Sequence, residues 1–445
     1  MKYIFADSID VVDPAYDFLN DRNGADRKPY WDDKYPHEIL DTVPYDGILV
    51  SRGIVGDHKF GGKYSSSQRM RFLRVGARAF LRLDSEKFKN FSLFGDCGAF
   101  TFVKMDEPPY TADEIVDFYG DGQFTHGCSI DHVIFDFDRD GTKMEGGSEE
   151  ARRRFDITLR NASQFIVASR ALGKKFTPLG VVQGWSPGSM AESARRLERM
   201  GYTYLALGGM VPLNATSIHL VLKAVRRVIS PRTRIHLLGF AKAEQIDEFA
   251  NYGIASFDST SPLIRSFKDS RANYYVLKPD GGLDYYTALR IPQATENPTL
   301  MRAAKQGKLR QEDLLALESN ALTLLRAYDK GSATIEATLD AIITYNRVML
   351  EASEGAGPKT ERQLTLLKER AERTLRDKPW KNCDCAICRA ISVEVIIFRS
   401  SNRNKRRGFH NLAVYYEHLK RTFPGQSNER TPQIHSNHGE AEYAA

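Results

Sequence analysis

Asp96, Asp136 and Asp258 each close a short apolar run (FSLFG, HVIF and IASF), Gln183 closes LGVV, and the pair Gly208–Gly209 follows YLAL. One aspartate at such a position is an ordinary cap or turn residue. Three carboxylates, a carboxamide and a glycine pair, each at the end of a separate run, form a set that converges if the runs are strands of one barrel, whose C-terminal rim carries the chemistry. Two carboxylates in one pocket are equipment for cleaving a glycosidic bond: one attacks the anomeric carbon and the other moves a proton at the leaving group. The third carboxylate, the amide and the glycine N–H groups can read a polar heterocycle. Guanine fits, because N1–H and the N2 amino group donate to a carboxylate while O6 accepts from an amide.

A second constellation lies further along. Cys383, Cys385 and Cys388 form C-x-C-x-x-C, and His410 follows 22 residues after the last of them, opening HNLAVYYEHL. Four soft or borderline ligands suit tetrahedral Zn²⁺, and a complete set leaves no open position, so the expected site is structural. His418, on the same helical stretch, is the rival fourth ligand. Cys97 and Cys128 read as small buried residues.

These groups need a scaffold that delivers them together. Eight β-rich runs recur: YIFA at 3–6, GILVS at 47–51, FSLFG at 91–95, DHVIFD at 131–136, PLGVVQ at 178–183, YLALG at 204–208, IHLLG at 235–239 and IASFD at 254–258. Amphipathic helical patterns separate the later ones, at 149–172, 188–200, 217–229 and 243–252. Alternation of this kind predicts parallel strands with crossover helices and an α/β (β/α)8 TIM-type barrel over 1–265, with a doubly wound open sheet as the alternative. From 266 to 381 the rhythm changes to helical patterns at 311–328, 334–351 and 360–376, which predicts a helical insertion. A zinc-binding segment with a helix follows at 382–423, and the polar stretch 424–445 reads as a disordered tail.

With 42% hydrophobic and 27% charged residues, the 445-residue chain has the composition of a globular protein. No run reaches the roughly 18 apolar residues of a spanning helix, and MKYIFADSID carries an acidic residue where a signal peptide stays apolar; the expectation is a cytoplasmic protein without a membrane. A formal charge of +6 permits a polyanionic partner without requiring one. Arg403, Lys405, Arg406 and Arg407, between Cys388 and His410, read equally as a solvated surface run or as a phosphate-contacting patch.

The motifs GDCGAF at 95–100, FD at 135–136, VVQG at 181–184, LGGM at 207–210, HLLGF at 236–240, FDSTSP at 257–262, and CDCAIC at 383–388 with HNL at 410–412, resemble in order those of the tRNA-guanine transglycosylases. The resemblance implies that Asp258 is the nucleophile that bonds C1′ and Asp96 the general acid/base. It also implies that Asp136, Gln183, Gly208, Gly209 and Met210 bind the base, with Asp138 an alternative register of FDFD, and that Cys383, Cys385, Cys388 and His410 hold zinc. Three features depart from the family pattern. DCGAFT stands where DSGGFQ is usual, the basic stretch after the nucleophile is missing from STSPLIRSF, and the linker to the cysteines is long.

With the opening MKYIFADSIDVVDPAYDF and PYDGILVSRG, these departures resemble the DNA-acting branch of the family, which inserts a 7-deazaguanine such as preQ0 into DNA. The implied partners are DNA rather than tRNA, a free 7-deazaguanine base and other DNA-modification proteins. The alternatives are the same exchange on tRNA, a small-molecule glycosidase or nucleosidase, and a non-catalytic zinc-containing DNA-binding component.

Overall fold

A computed structural model describes residues 1–424; the stretch beyond, where the tail was expected, lies outside the described residues. Eight parallel strands close into a barrel in chain order: β1 (Lys2–Ala6), β2 (Gly47–Ser51), β3 (Ser92–Asp96), β4 (His126–Cys128), β5 (Thr177–Val182), β6 (Tyr204–Leu207), β7 (Arg234–Leu237) and β8 (Ile254–Asp258). β1 pairs with β8 to close the ring, Ile4 opposite Asp258. Ser51 on β2 stands opposite Asp96 on β3. The register thus lifts both aspartates to one rim. Ile4, Leu49, Phe94, Cys128, Leu179, Val181, Tyr204 and Ala206 fill the barrel interior, and a larger core lies between strands and helices.

Seven of the expected runs are strands; the fourth is not. β4 is HGC, paired with Phe94 and Gly95 on one side and with Thr177 to Leu179 on the other. Small residues serve here because the Tyr119 ring packs against the sheet: a Cβ on Gly95 or Gly127 would stand 2.4 or 2.5 Å from that ring. DHVIFD lies past the strand. Val133 and Ile134 are buried while Phe135 stays exposed, and the helix Glu149–Ala168 lies against the run: its Thr158 accepts the His132 N–H at 3.0 Å and its Arg154 donates to the Val133 carbonyl at 2.6 Å.

The eighth barrel helix, Ser261–Lys268, crosses the expected boundary at 265. Helices Gln311–Asp329, Ile335–Glu354 and Pro358–Asp377 lie between 266 and 381, but that stretch is not purely helical. YYVL and LDYY pair as an antiparallel hairpin, β9 (Tyr274–Leu277) with β10 (Leu283–Tyr286), around a turn at Pro279-Asp280-Gly281-Gly282. β11 (Leu289–Arg290) then pairs with β12 (Ile397–Phe398), tying the insertion to the cysteine-bearing segment. Among the described residues no helix is long and apolar enough to cross a membrane.

The basic run meets neither expectation, because it faces inward on the helix Ser401–Thr422. Arg403 is fully buried and pairs with Asp21 and Glu394. Arg407, equally buried, donates to the carbonyls of Val395, Ile397 and Ser266. Arg406 donates to the Asp13 carbonyl at 2.8 Å, and Lys405 reaches the carbonyls of Ile9 and Val11. The run therefore anchors the first twenty or so residues onto this helix. Guanidinium groups suit the task, since their fixed fork of donors can satisfy several carbonyls at once.

Candidate active site and metal centre

A cavity of about 290 Å³ opens at the C-terminal ends of the strands, lined among others by Asp96, Asp131, Gln183, Gly208, Gly209 and Asp258. Asp258, the last residue of β8, is 4% exposed, and its Oδ1 accepts the Gly239 N–H at 2.8 Å and lies 3.0 Å from His236 Nε2. Asp96, the last residue of β3, accepts the Gly98 N–H at 3.1 Å. Burial, reinforced by the nearby charge of Asp258, holds its carboxyl above the usual range against the opposing hydrogen bonds from Ser51 and Gly98. A carboxyl so placed is suited to moving a proton at a leaving group.

The third carboxylate on the cavity wall is Asp131. Gln183 Nε2 donates to its Oδ2 at 2.7 Å and the Cys97 thiol to its Oδ1 at 3.3 Å. Burial and then the charge of Asp96 push its carboxyl from 3.8 up to about 6, although these two hydrogen bonds oppose the shift. Asp136 does not reach the cavity: it is exposed and accepts from Ser148, the N-cap of the helix Glu149–Ala168. Asp138, its alternative, is exposed as well and accepts the Asp140 N–H at 3.0 Å. β4 ends earlier than the apolar run suggests, so the carboxylate on the wall comes five residues sooner. Met210 is buried but does not line the cavity.

The glycines at the end of β6 make room for the amide. A Cβ on Gly208 would lie 2.5 Å from Gln183 Nε2, and Gly209 adopts a left-handed φ of 70°. Leu238 and Phe100 supply apolar wall, Phe100 staying largely exposed at the mouth with Phe135 centred 6.5 Å away. The strand-end rule did not single out Asp131, Ser51 or His236. Their signal is weaker: Ser51 ends its strand with only a small hydroxyl, His236 lies within a strand, and Asp131 stands just beyond a three-residue one.

The metal centre stands apart from this cavity. Cys383, Cys385, Cys388 and His410 bring four ligand atoms within 4.8 Å of one another, a group that could hold a metal ion. The three Sγ atoms lie 3.5, 3.4 and 3.4 Å from His410 Nδ1, close to the edge of roughly 3.5 Å that tetrahedral bonds to sulfur and nitrogen imply. His410 Nε2–H donates to the Tyr275 carbonyl at 2.8 Å, which leaves Nδ1 with the lone pair that ligation needs. Tyr274 stacks on the imidazole at 4.0 Å and bonds Cys388 Sγ at 3.2 Å. The hairpin that sequence reasoning missed thus supports the Cys₃His cluster. His418 lies outside the cluster, its Nδ1 donating to the Gly281 carbonyl at 2.8 Å.

No family model matches the chain. It is 40% identical over 434 residues, 97% of its length and 99% of the relative's, to a DNA-guanine transglycosylase from Salmonella montevideo. The chain belongs to the DNA-guanine transglycosylase family. It is therefore an enzyme of the glycosyltransferase type, and the barrel and the Cys₃His cluster are how this member of the family is built.

Proposed function

We propose that this transglycosylase exchanges guanine in DNA for a 7-deazaguanine base through a covalent aspartyl intermediate. The juxtaposition of Asp96 and Asp258 on one cavity wall, one carboxyl raised in proton affinity by burial and the other held by donors on one oxygen, carries the reading. The target guanosine is flipped into the cavity at a cost of a few kcal/mol, which contacts at the mouth offset. Phe100 offers a face on which the base can stack. Asp258 attacks C1′, the C1′–N9 bond breaks, and Asp96 gives its proton to the departing guanine. The incoming base returns a proton from N9 to Asp96, N9 bonds C1′, and the C1′–Oδ bond breaks to regenerate the Asp258 carboxylate. Two displacements give net retention.

Asp131, rather than Asp136, accepts from N1–H and the N2 amino group, while Gln183 and the backbone of Gly208 and Gly209 face the rest of the base edge. Cys383, Cys385, Cys388 and His410 would hold Zn²⁺ in a structural role, three thiolates and one imidazole being a donor set that suits it, and what it would supply is stabilisation of the surrounding fold.

Nucleoside mass spectrometry of DNA and tRNA from cells carrying the wild-type chain or Asp258→Ala tests this. The expected result is a 7-deazaguanosine in DNA that depends on Asp258. Modified tRNA with unmodified DNA would give the polymer to RNA, and a modified DNA in the Asp258→Ala strain would overturn the nucleophile.

A further inference from the structure

One buried titratable group takes no part in the two displacements. His236 on β7 is fully buried in the barrel, with Nε2 3.0 Å from Asp258 Oδ1 and Nδ1 2.6 Å from Ser256 Oγ. Ser256 Oγ is in turn 2.6 Å from the Tyr204 hydroxyl. The arrangement follows from register. His236 pairs with Ser256 across β7 and β8, and Ser256 and Asp258, two residues apart on one strand, point to the same side. Phe94 lies over the imidazole at 5.2 Å, closing one face with an apolar ring.

We infer that Tyr204, Ser256 and His236 form a hydrogen-bonded relay that positions Asp258 by holding Oδ1, leaving Oδ2 to bond the anomeric carbon. The inference rests on the reading of Asp258 as nucleophile. In the relay His236 presents Nε2–H to the Asp258 carboxylate oxygen and takes at Nδ1 the hydroxyl of Ser256, which accepts in turn from Tyr204. Oδ1 receives two donors, His236 Nε2–H and the Gly239 N–H at 2.8 Å.

Those donors have unequal effects on the two displacements. In the first they steady the nucleophile and fix which oxygen attacks. In the second, negative charge returns to the carboxylate as the C1′–Oδ bond breaks, and prepositioned donors lower that barrier directly. Loss of His236 should therefore slow resolution of the intermediate more than its formation. His236 is a positioning residue, acting through Asp258.

The test uses the full-length, metal-loaded protein, duplex DNA and labelled guanine as the incoming base. His236→Leu is expected to lose about 100-fold in kcat, the scale of one missing donor to a developing anion. KM for the free base should stay within about two-fold, since base-reading contacts are untouched. A covalent DNA–protein band should accumulate on denaturing gels. His236→Gln, which can place an amide N–H near Oδ1, should recover most of kcat. If His236→Leu fails to fold, two measurements remain: ¹⁵N shifts of the wild-type imidazole should report the Nε2–H tautomer, and Ser256→Ala should disturb it and lower kcat.

Wild-type kcat in a folded His236→Leu, a Gln variant no better than Leu, or an Nδ1–H tautomer would overturn the relay. Asp258→Asn separates the two layers. Exchange that survives it removes the nucleophile reading itself, whereas a dead Asp258→Asn beside a fully active His236→Leu removes the relay alone.

Discussion

The amide of Gln183 and the carboxylate of Asp131 are joined by a 2.7 Å hydrogen bond across the end of the barrel, both side chains 2% exposed. The pair sets the polar corner of the cavity, and it does so against the cost of burying a carboxylate.

That cost gives a stability prediction with a definite sign. In the unfolded chain Asp131 titrates near 3.8, and in the folded chain near 6. Below about pH 4 it is protonated in both states and carries no penalty. As pH rises from about 4 to about 6 the unfolded chain gives up this proton while the folded protein still holds it, so stability falls by up to about 3 kcal/mol, from roughly 1.4 kcal/mol for each tenfold difference in proton affinity between the two states, and the loss levels off above pH 6 where both are ionised. Asp131→Asn should therefore raise the melting temperature at pH 8, with the two curves converging toward pH 4. Melting curves across that range check it, and a variant less stable at pH 8 would count against the buried charge.

The same group predicts a pH dependence of base recognition. A protonated Asp131 offers one acceptor fewer to N1–H and the N2 amino group, so KM for the incoming guanine should climb as pH falls below about 6. In Asp131→Asn that slope should vanish, with KM high throughout. Steady-state exchange at fixed DNA concentration measures both.

Gly208→Ala tests how closely the amide is seated. The added Cβ would approach Gln183 Nε2 to 2.5 Å, forcing the amide off its place while leaving β6 intact. Loss of roughly one hydrogen bond corresponds to about ten-fold in KM for the free base. Circular dichroism and melting should match wild type.

Cys385→Ala removes one of four ligands and opens the cluster. The bound metal, measured by mass spectrometry, should fall well below one per chain. Proteolysis should then open the 274–290 hairpin region first, because Tyr274 and Tyr275 are held against His410. A metal-free variant with wild-type protease resistance would contradict a structural role.

Arg403→Leu should cost up to about 3 kcal/mol, since Asp21 and Glu394 each lose one of two arginines, Asp21 keeping Arg399 and Glu394 keeping Arg326. The salt dependence of DNA binding should not change, because the guanidinium is out of reach of a phosphate. Chemical denaturation and binding titrations over a range of salt read the two effects separately.

Periodicity made most of the barrel legible, because strands buried on both faces are short continuous apolar runs, and IASFD and GILVS became strands residue for residue. It failed where burial has another cause. Val133 and Ile134 are apolar because they pack into the core beyond the strand, while the true β4, HGC, is small because Tyr119 packs against it, so the carboxylate on the wall is Asp131 and not Asp136. The arginines at 403–407 look like surface, since sequence gives their charge but not the carbonyls of residues 9–18 and 395–397 that they meet. His236 stayed hidden for a related reason. A histidine inside an apolar strand gains meaning only when the register sets Ser256 beside it.

The arginine clamp also bears on the order in which the molecule can be completed. Asp21 and the carbonyls of Asp13 and Phe18 wait for Arg403 and Arg406, which a ribosome makes some 380 residues later. β1 likewise waits for β8. The segment made first is therefore among the last to settle, and during synthesis its aspartates stay in water. Ring closure and docking of the helix Ser401–Thr422 then become late events of one assembly, and a chain stalled before residue 403 would hold every residue proposed for catalysis while its opening segment still lacked an anchor.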